Sequence, residues 1–199
     1  KHDWVKLSDL QQILASVSLP EQHPANLLIL GFDLEDAAMD GIAGVRTLRS
    51  GPHLGRISRH ALEQARGNAQ RIGRLGEELL SVYLQDRKDK GLISDFTWDA
   101  DENAISPYDF SVIEVDGSVT LIDVKSTTGN FDNRIHISYN ELLQMRTAEQ
   151  YDLYRVYALT DNSMMLRIAK GLKTFAESIV AVLQQLPSGV QPDSVSVNP

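Results

Sequence analysis

The stretch from Ser106 to Thr128, SPYDFSVIEVDGSVTLIDVKSTT, constrains the fold more than any other part of the chain. Apolar residues recur at alternate positions, the spacing of strands whose side chains point to opposite faces in turn. Two strands are predicted, Tyr108 to Glu114 and Ser118 to Lys125, joined at Asp116–Gly117. Tyr108, Phe110 and Val112 fall on one face and Ile113, Val119 and Leu121 on the other, so both faces call for cover. The turn type then sets the register. A two-residue turn at Asp116–Gly117 would pair Asp109 with Val124 and aim its side chain away from Asp123. A three-residue loop, Val115–Asp116–Gly117 with the glycine left-handed in a bulge, places Asp109 directly opposite Asp123. Glycine in third place after aspartate suits the second arrangement.

Asp123 and Lys125 are two residues apart on a predicted strand and so share a face. A carboxylate and a lysine side by side amid apolar neighbours need a reason, and phosphodiester hydrolysis supplies one. Carboxylates hold Mg²⁺, a cation that takes hard oxygen ligands. The ion polarises the phosphoryl group and lowers the pKa of a bound water. A lysine can orient that water or stabilise developing charge. Asp109 joins the pair only in the three-residue register.

Around this hairpin the pattern is that of an α/β or α+β layer protein. A helix is predicted from about Ser58 to Lys88, interrupted near Gly67, with Ile72, Leu75, Leu79, Val82 and Tyr83 on its apolar face. Gly76 lies on that face, where it would allow close approach to a sheet. Glu77 and Glu78 flank the stripe about equally, and the helical wheel leaves them tied. Further strands are expected at Ile93–Trp98, Arg134–Ile137, Leu153–Thr160 and Met164–Ile168. Ser138 with Glu141 three residues on forms a capping box opening a helix to about Glu149, and Lys173–Leu186 reads as a closing amphipathic helix. Before all this, Ser8 and Gln11 cap a first helix, and Leu27 to Phe32 reads equally as strand or helix. The expected division is a mainly helical N-terminal extension over 1–65, one domain over 66–186, and a disordered tail over 187–199.

Charge adds a second feature. Between Arg46 and Arg74, seven arginines against Glu63 give +6, which leaves −14 for the rest of a chain whose net charge is −8. Arginine forks match phosphate oxygens, so a basic segment leading into an acidic domain suits phosphate tracking; a solvated helix face is the competing explanation. The absence of cysteine removes disulfides and thiolate zinc sites, and fits a cytoplasmic protein. The longest apolar run, Leu27 to Leu30, falls far short of the roughly 20 residues needed to span a bilayer. Beginning at a lysine, the sequence reads as part of a longer protein.

Five blocks in order carry a resemblance. They are Gly73-Arg-Leu-Gly-Glu77, Tyr108-Asp109-Phe110, Leu121-Ile-Asp-Val-Lys-Ser-Thr127, Ser138-Tyr-Asn-Glu141 and Tyr151-Asp-Leu-Tyr-Arg-Val156. Together they resemble the PD-(D/E)xK nuclease superfamily and, more narrowly, the NO VEIN C-terminal domain family found in bacterial restriction and defence proteins. The resemblance spans roughly Arg66 to Ile168. It implies a restriction-endonuclease-like core with a mixed central sheet flanked by helices. It also implies Asp109, Asp123 and Lys125 as the metal and catalytic trio, with Glu77 rather than Glu78 as the helix carboxylate. Asp123 departs from the glutamate more usual in the narrower family, a change the superfamily tolerates.

The expectation that follows is a Mg²⁺-dependent DNA endonuclease domain, with Mn²⁺ as a substitute ion. Asp109, Asp123 and Glu77 would bind metal and Lys125 would position water. Arg56, Arg59, Arg66, Arg71, Arg74, Ser126 and Thr127 would contact nucleic acid. Expected partners are DNA, other domains or subunits of a larger defence protein, and a second copy in a homodimer, with no membrane. The alternative is a catalytically silent module using the same fold to bind nucleic acid or protein. Glu141 is read as a cap rather than a ligand, and Tyr151, Tyr154 and Tyr157 as half-buried strand aromatics rather than base-stacking platforms.

Overall fold

A computed structural model describes residues 59–190 and 192–197. The expected first helix at Ser8, the ambiguous Leu27–Phe32 segment and Arg56 lie outside the described residues. In chain order the elements are α1 (Arg59–Asp89), β1 (Asp95–Trp98), α2 (Asp99–Glu102), β2 (Phe110–Ile113), β3 (Val119–Ser126), β4 (Ile135–Ser138), α3 (Tyr139–Thr147), β5 (Gln150–Thr160), β6 (Ser163–Ala169), α4 (Lys173–Leu183) and β7 (Ser194–Val197). Five strands form a mixed sheet in the order β1-β2-β3-β5-β6, and β4 pairs with β7 in a separate two-stranded sheet. Within the larger sheet only β3 and β5 run parallel; α3 lies in the connection between them. A mixed sheet flanked by helices is the architecture expected. No helix among the described residues is long and apolar enough to cross a membrane.

Helix α1 runs unbroken through Gly67, without the expected interruption. It covers one face of the sheet, where Ile72, Leu80 and Leu84 pack with Phe110, Val112, Ile122, Val124 and Val156. The apolar stripe is centred on Ile72, Gly76 and Leu80 rather than where the sequence placed it, and Val82 is 66% exposed. That shift breaks the tie between the two glutamates. Glu77 is about 100° from the centre of this stripe and Glu78 about 160°, so only Glu77 borders the core. Gly76 meets Ser126, the last residue of β3; a Cβ there would collide with the serine side chain.

The opposite face is covered by α3 and α4. Leu142, Met145, Ala176 and Val180 pack there on Tyr151 and Leu153, with Leu121 at the margin. Tyr108 joins this cluster rather than the one holding Phe110 and Val112, because regular alternation begins only at Phe110. Ile113 and Val119, expected under cover, are 42% and 46% exposed at the hairpin end. The expected disordered tail also needs correction: Val195 and Val197 pair with Ile137 and Ile135 and pack on the second cluster.

The hairpin takes the register that the chemistry demands. Phe110 pairs with Ile122 and Ile113 with Val119, which sets Asp109 opposite Asp123. The loop closes through Gly117 N–H to Glu114 O at 3.0 Å and Glu114 N–H to Ser118 O at 2.8 Å. Gly117 has φ of 85°, the left-handed conformation that glycine adopts without a Cβ penalty. Asp116 secures the turn by accepting from Ser118 N–H and Oγ.

Candidate functional site

Leu121, Asp123 and Lys125 point from β3 toward α3 and α4, away from α1. Asp123 is 3% exposed. Its Oδ2 lies 3.0 Å from Lys125 Nζ, a close ion pair. Apart from the lysine, that buried oxygen has no partner. Asp109 stands where the β2–β3 ladder ends. Its N–H donates to Ile122 O at 2.8 Å, and its Oδ2 accepts from Val124 N–H at 2.6 Å. The carboxylate thus replaces the next backbone rung. Tyr151 donates its hydroxyl to Pro107 O at 2.7 Å and pins the segment leading into Asp109.

Lys125 has a second carboxylate partner. Glu141 Oε1 accepts from Lys125 Nζ at 2.9 Å, while Glu141 Oε2 accepts from Ser138 N–H at 2.6 Å. Ser138 Oγ takes Glu141 N–H in return, which completes the predicted capping box. Sequence reasoning found this cap but missed its contact with Lys125. The α3–sheet packing that produces the contact leaves no local signal.

Glu77 reaches the neighbourhood from α1. Trp98 Nε1 donates to its Oε2 at 3.0 Å. Trp98 stacks on Phe110 and carries Arg74 over its ring at 4.1 Å. No sequence pattern marked Trp98 as the partner of Glu77. Among the described residues no three acidic or histidine side chains converge closely enough to hold a metal ion as they stand. The expected metal set is therefore only partly assembled: Asp109 and Asp123 are together, and Glu77 is turned to Trp98.

Electrostatics separate the members. Burial raises Asp123 well above the ordinary carboxylate range; Lys125 opposes the rise, while Glu141 and Asp109 add to it. Burial also raises Asp109, against the Val124 N–H and Lys125. Glu77 is pushed up to about 7, first by burial and then by the Asp109 charge, with the Trp98 hydrogen bond holding it back. Burial would lower Lys125, but Asp123 and Glu141 together outweigh it and keep the ammonium charged. Asp109, Asp123 and Glu141 thus share one lysine, which leaves the cluster short of positive charge. The donors are all hard oxygens, and one of them, Asp123 Oδ2, is buried with no partner but the lysine. That combination fits a hard divalent cation.

The expected nucleic-acid contacts divide. Ser126 and Thr127 are each 3% exposed. Ser126 faces Gly76, and Thr127 Oγ1 accepts from Gly129 N–H and Asn133 Nδ2, so neither hydroxyl is presented to a ligand. Arg74 is engaged by Asp101 at 2.7 Å and Glu78 at 3.1 Å as well as by Trp98. Arg59, Arg66 and Arg71 are exposed, Arg71 within 4.0 Å of Asp161. Buried Arg155, level with Lys125 on β5, donates to Lys125 O and Asn133 O, fastening the end of β3 to the following loop. Tyr151 and Tyr154 are buried, as strand aromatics rather than stacking platforms. A groove of about 380 Å³ at the hairpin end, between Glu114, Thr120, Asp152 and Lys170, contains none of the candidate residues.

The family model described as Protein NO VEIN, C-terminal, matches residues 76–168, from the middle of α1 to the end of β6. The matched span contains Glu77, Asp109, Asp123, Lys125 and Glu141. No curated protein matches the chain, and no solved structure does.

Proposed function

We propose that this chain carries a metal-dependent endonuclease domain of PD-(D/E)xK type, acting on DNA within a cytoplasmic bacterial restriction or phage-defence protein. The observation that carries the reading is the pairing of half-buried Asp109 with buried Asp123 beside Lys125, with more negative than positive charge and no partner for Asp123 Oδ2 but the lysine. Asp109 and Asp123 would hold Mg²⁺ or Mn²⁺, with Glu77 joining by leaving Trp98. Bound there, the cation would supply Lewis-acid polarisation of a phosphoryl oxygen and a more acidic water. Lys125 would orient the attacking water and meet charge developing on the phosphate.

A direction for substrate follows from α1. Gly76 lies against the last residue of β3, while Lys88 reaches Asp95 on β1 at 2.7 Å. The helix therefore runs against β3, and its residues before Gly76 lead away past the site end. Arg59, Arg66 and Glu77 fall within roughly 20° of one another around the helix. The two exposed arginines thus share a line with the site carboxylate and suit phosphate contacts. Other subunits of a larger protein, or a second copy, are further partners under this reading.

The test is incubation of supercoiled plasmid with Mg²⁺ or Mn²⁺, beside Asp123→Ala and Lys125→Ala. Cleavage by the unaltered chain, reduced about 100-fold or more by either substitution, is the expected result. Cleavage that survives both substitutions rejects the site. The second reading, a silent binding module, draws on Lys125 being held by two carboxylates and on the lack, among the described residues, of a converged three-ligand group. It predicts DNA retention without cleavage under both ions.

A further inference from the structure

The lysine of the site is held from two sides, and on the Glu141 side the holding carboxylate is itself tied to main chain. Asp123 Oδ2 lies 3.0 Å from Lys125 Nζ, and Glu141 Oε1 accepts from the same ammonium at 2.9 Å. We propose that Glu141 is a positioning residue for the Lys125 ammonium, a role that rests on the nuclease reading of this site.

Glu141 divides its carboxylate between two donors, the Lys125 ammonium and the Ser138 backbone N–H. The second bond closes the capping box, so Oε2 is tied to the backbone at the start of α3. The helix itself is anchored by Leu142 and Met145, both 0% exposed, one and four residues beyond Glu141. The place of Oε1 is therefore fixed by main chain and core and does not depend on the lysine. That matters because a lysine ammonium is a point charge on a flexible stem and needs an external reference to hold a direction. Lys125 and Glu141 side chains are each only 18% exposed, which limits competition from water. With a cation held by Asp123, Glu141 would be the carboxylate left to order the ammonium. A glutamine there has one acceptor oxygen and no charge where the carboxylate presents an oxygen to each donor, so it cannot keep both bonds in their present places.

The experiment follows the Lys125 ammonium directly in the ¹⁵N-labelled chain, by its ¹H–¹⁵N correlation at low temperature, assigned through its loss in Lys125→Arg. The unaltered chain should show a slowly exchanging signal. Glu141→Gln should keep its circular dichroism, lose that signal, and lower kcat about tenfold or more with KM within about twofold. Glu141→Asp keeps the charge but shortens the reach, and should lose the signal likewise. Ser138→Ala removes the capping hydroxyl but leaves the backbone N–H that fixes Oε2. It should lower the melting temperature while preserving both signal and kcat. A Lys125 signal absent from the unaltered chain, or unchanged in both Glu141 variants, overturns the proposal. So does a loss of kcat that follows melting temperature across Ser138→Ala and Glu141→Gln alike. If the unaltered chain cuts no DNA, the nuclease reading falls, and the spectra alone still decide whether Glu141 holds Lys125.

Discussion

Glu77 titrates differently in the folded and unfolded chain, and the sign of that difference can be measured. Burial and the Asp109 charge lift it from 4.5 to about 7 in the folded state. A carboxyl whose folded pKa is raised favours the folded state most when protonated. Its contribution is complete below pH 4.5 and is lost as pH rises through about 7. Asp109 and Asp123, both raised, act in the same direction. Without divalent cation, the protein should therefore melt higher at pH 5.5 than at pH 8, as read by thermal unfolding in matched buffers. Glu77→Gln should flatten that slope between pH 4.5 and 7, because the amide has nothing to titrate. An equal slope in the variant would place the pH dependence elsewhere. Mg²⁺ at saturating concentration should raise the melting temperature most at pH 8, where the carboxylates are charged, and little in Asp123→Ala.

At the level of elements, the contact that joins α1 to the site strand is a glycine against a serine. Gly76→Ala places a methyl group into Ser126 Oγ and Cβ, and neither the helix nor the strand end can yield without disturbing Glu77 or Lys125. We expect a loss of about 1–3 kcal/mol, read by urea denaturation. Shrinking the facing side chain tests the cause. Ser126→Gly opens the space, so the double variant should recover part of the loss and the two changes should be non-additive. Strict additivity would mean that the helix does not bear on Ser126. This contact also shows what was legible beforehand. Gly76 was identified from its place on an apolar face, and the hairpin register from the turn residues, because both depend on neighbours in the sequence. The centre of the α1 stripe was misplaced because Val82, apolar in the pattern, is left exposed by the sheet beneath it. Glu141 and Trp98 gained their roles from contacts across 16 and 21 residues, which no local periodicity records. Ser126 and Thr127 were read as hydroxyls at a strand end, and burial under α1 and the following loop has turned them inward.

Across the whole molecule the two faces of the sheet do different work. The α1 face is an apolar core with Glu77 at its border, while the α3–α4 face carries Asp123, Lys125 and the residues that hold them. The second face is finished by the end of the described chain: β7 pairs with β4, and Tyr139 N–H donates to Asp193 O at 3.0 Å. That bond satisfies one of the free N–H groups of the first turn of α3, the turn that presents Glu141. A segment far along the chain from Asp123 therefore supports the site through α3. Ending the chain at Leu186 removes two half-buried valines and the whole β4–β7 ladder, and should cost about 2–4 kcal/mol. Val195 and Val197 pack on the α3–α4 cluster and not on the α1 one, so the α1 packing should persist and the shortened chain should remain folded at low temperature. Cleavage should fall more steeply than stability explains, because the first turn of α3, which presents Glu141, loses the strand that braces it. Urea midpoints measured beside initial cleavage rates decide this. If the shortened chain unfolds earlier yet cuts at the full rate wherever it is folded, α3 is held by its own packing and β7 contributes stability alone. A parallel fall of rate in the shortened chain and in Glu141→Gln, with no further loss on combining them, would place both on the same route to Lys125.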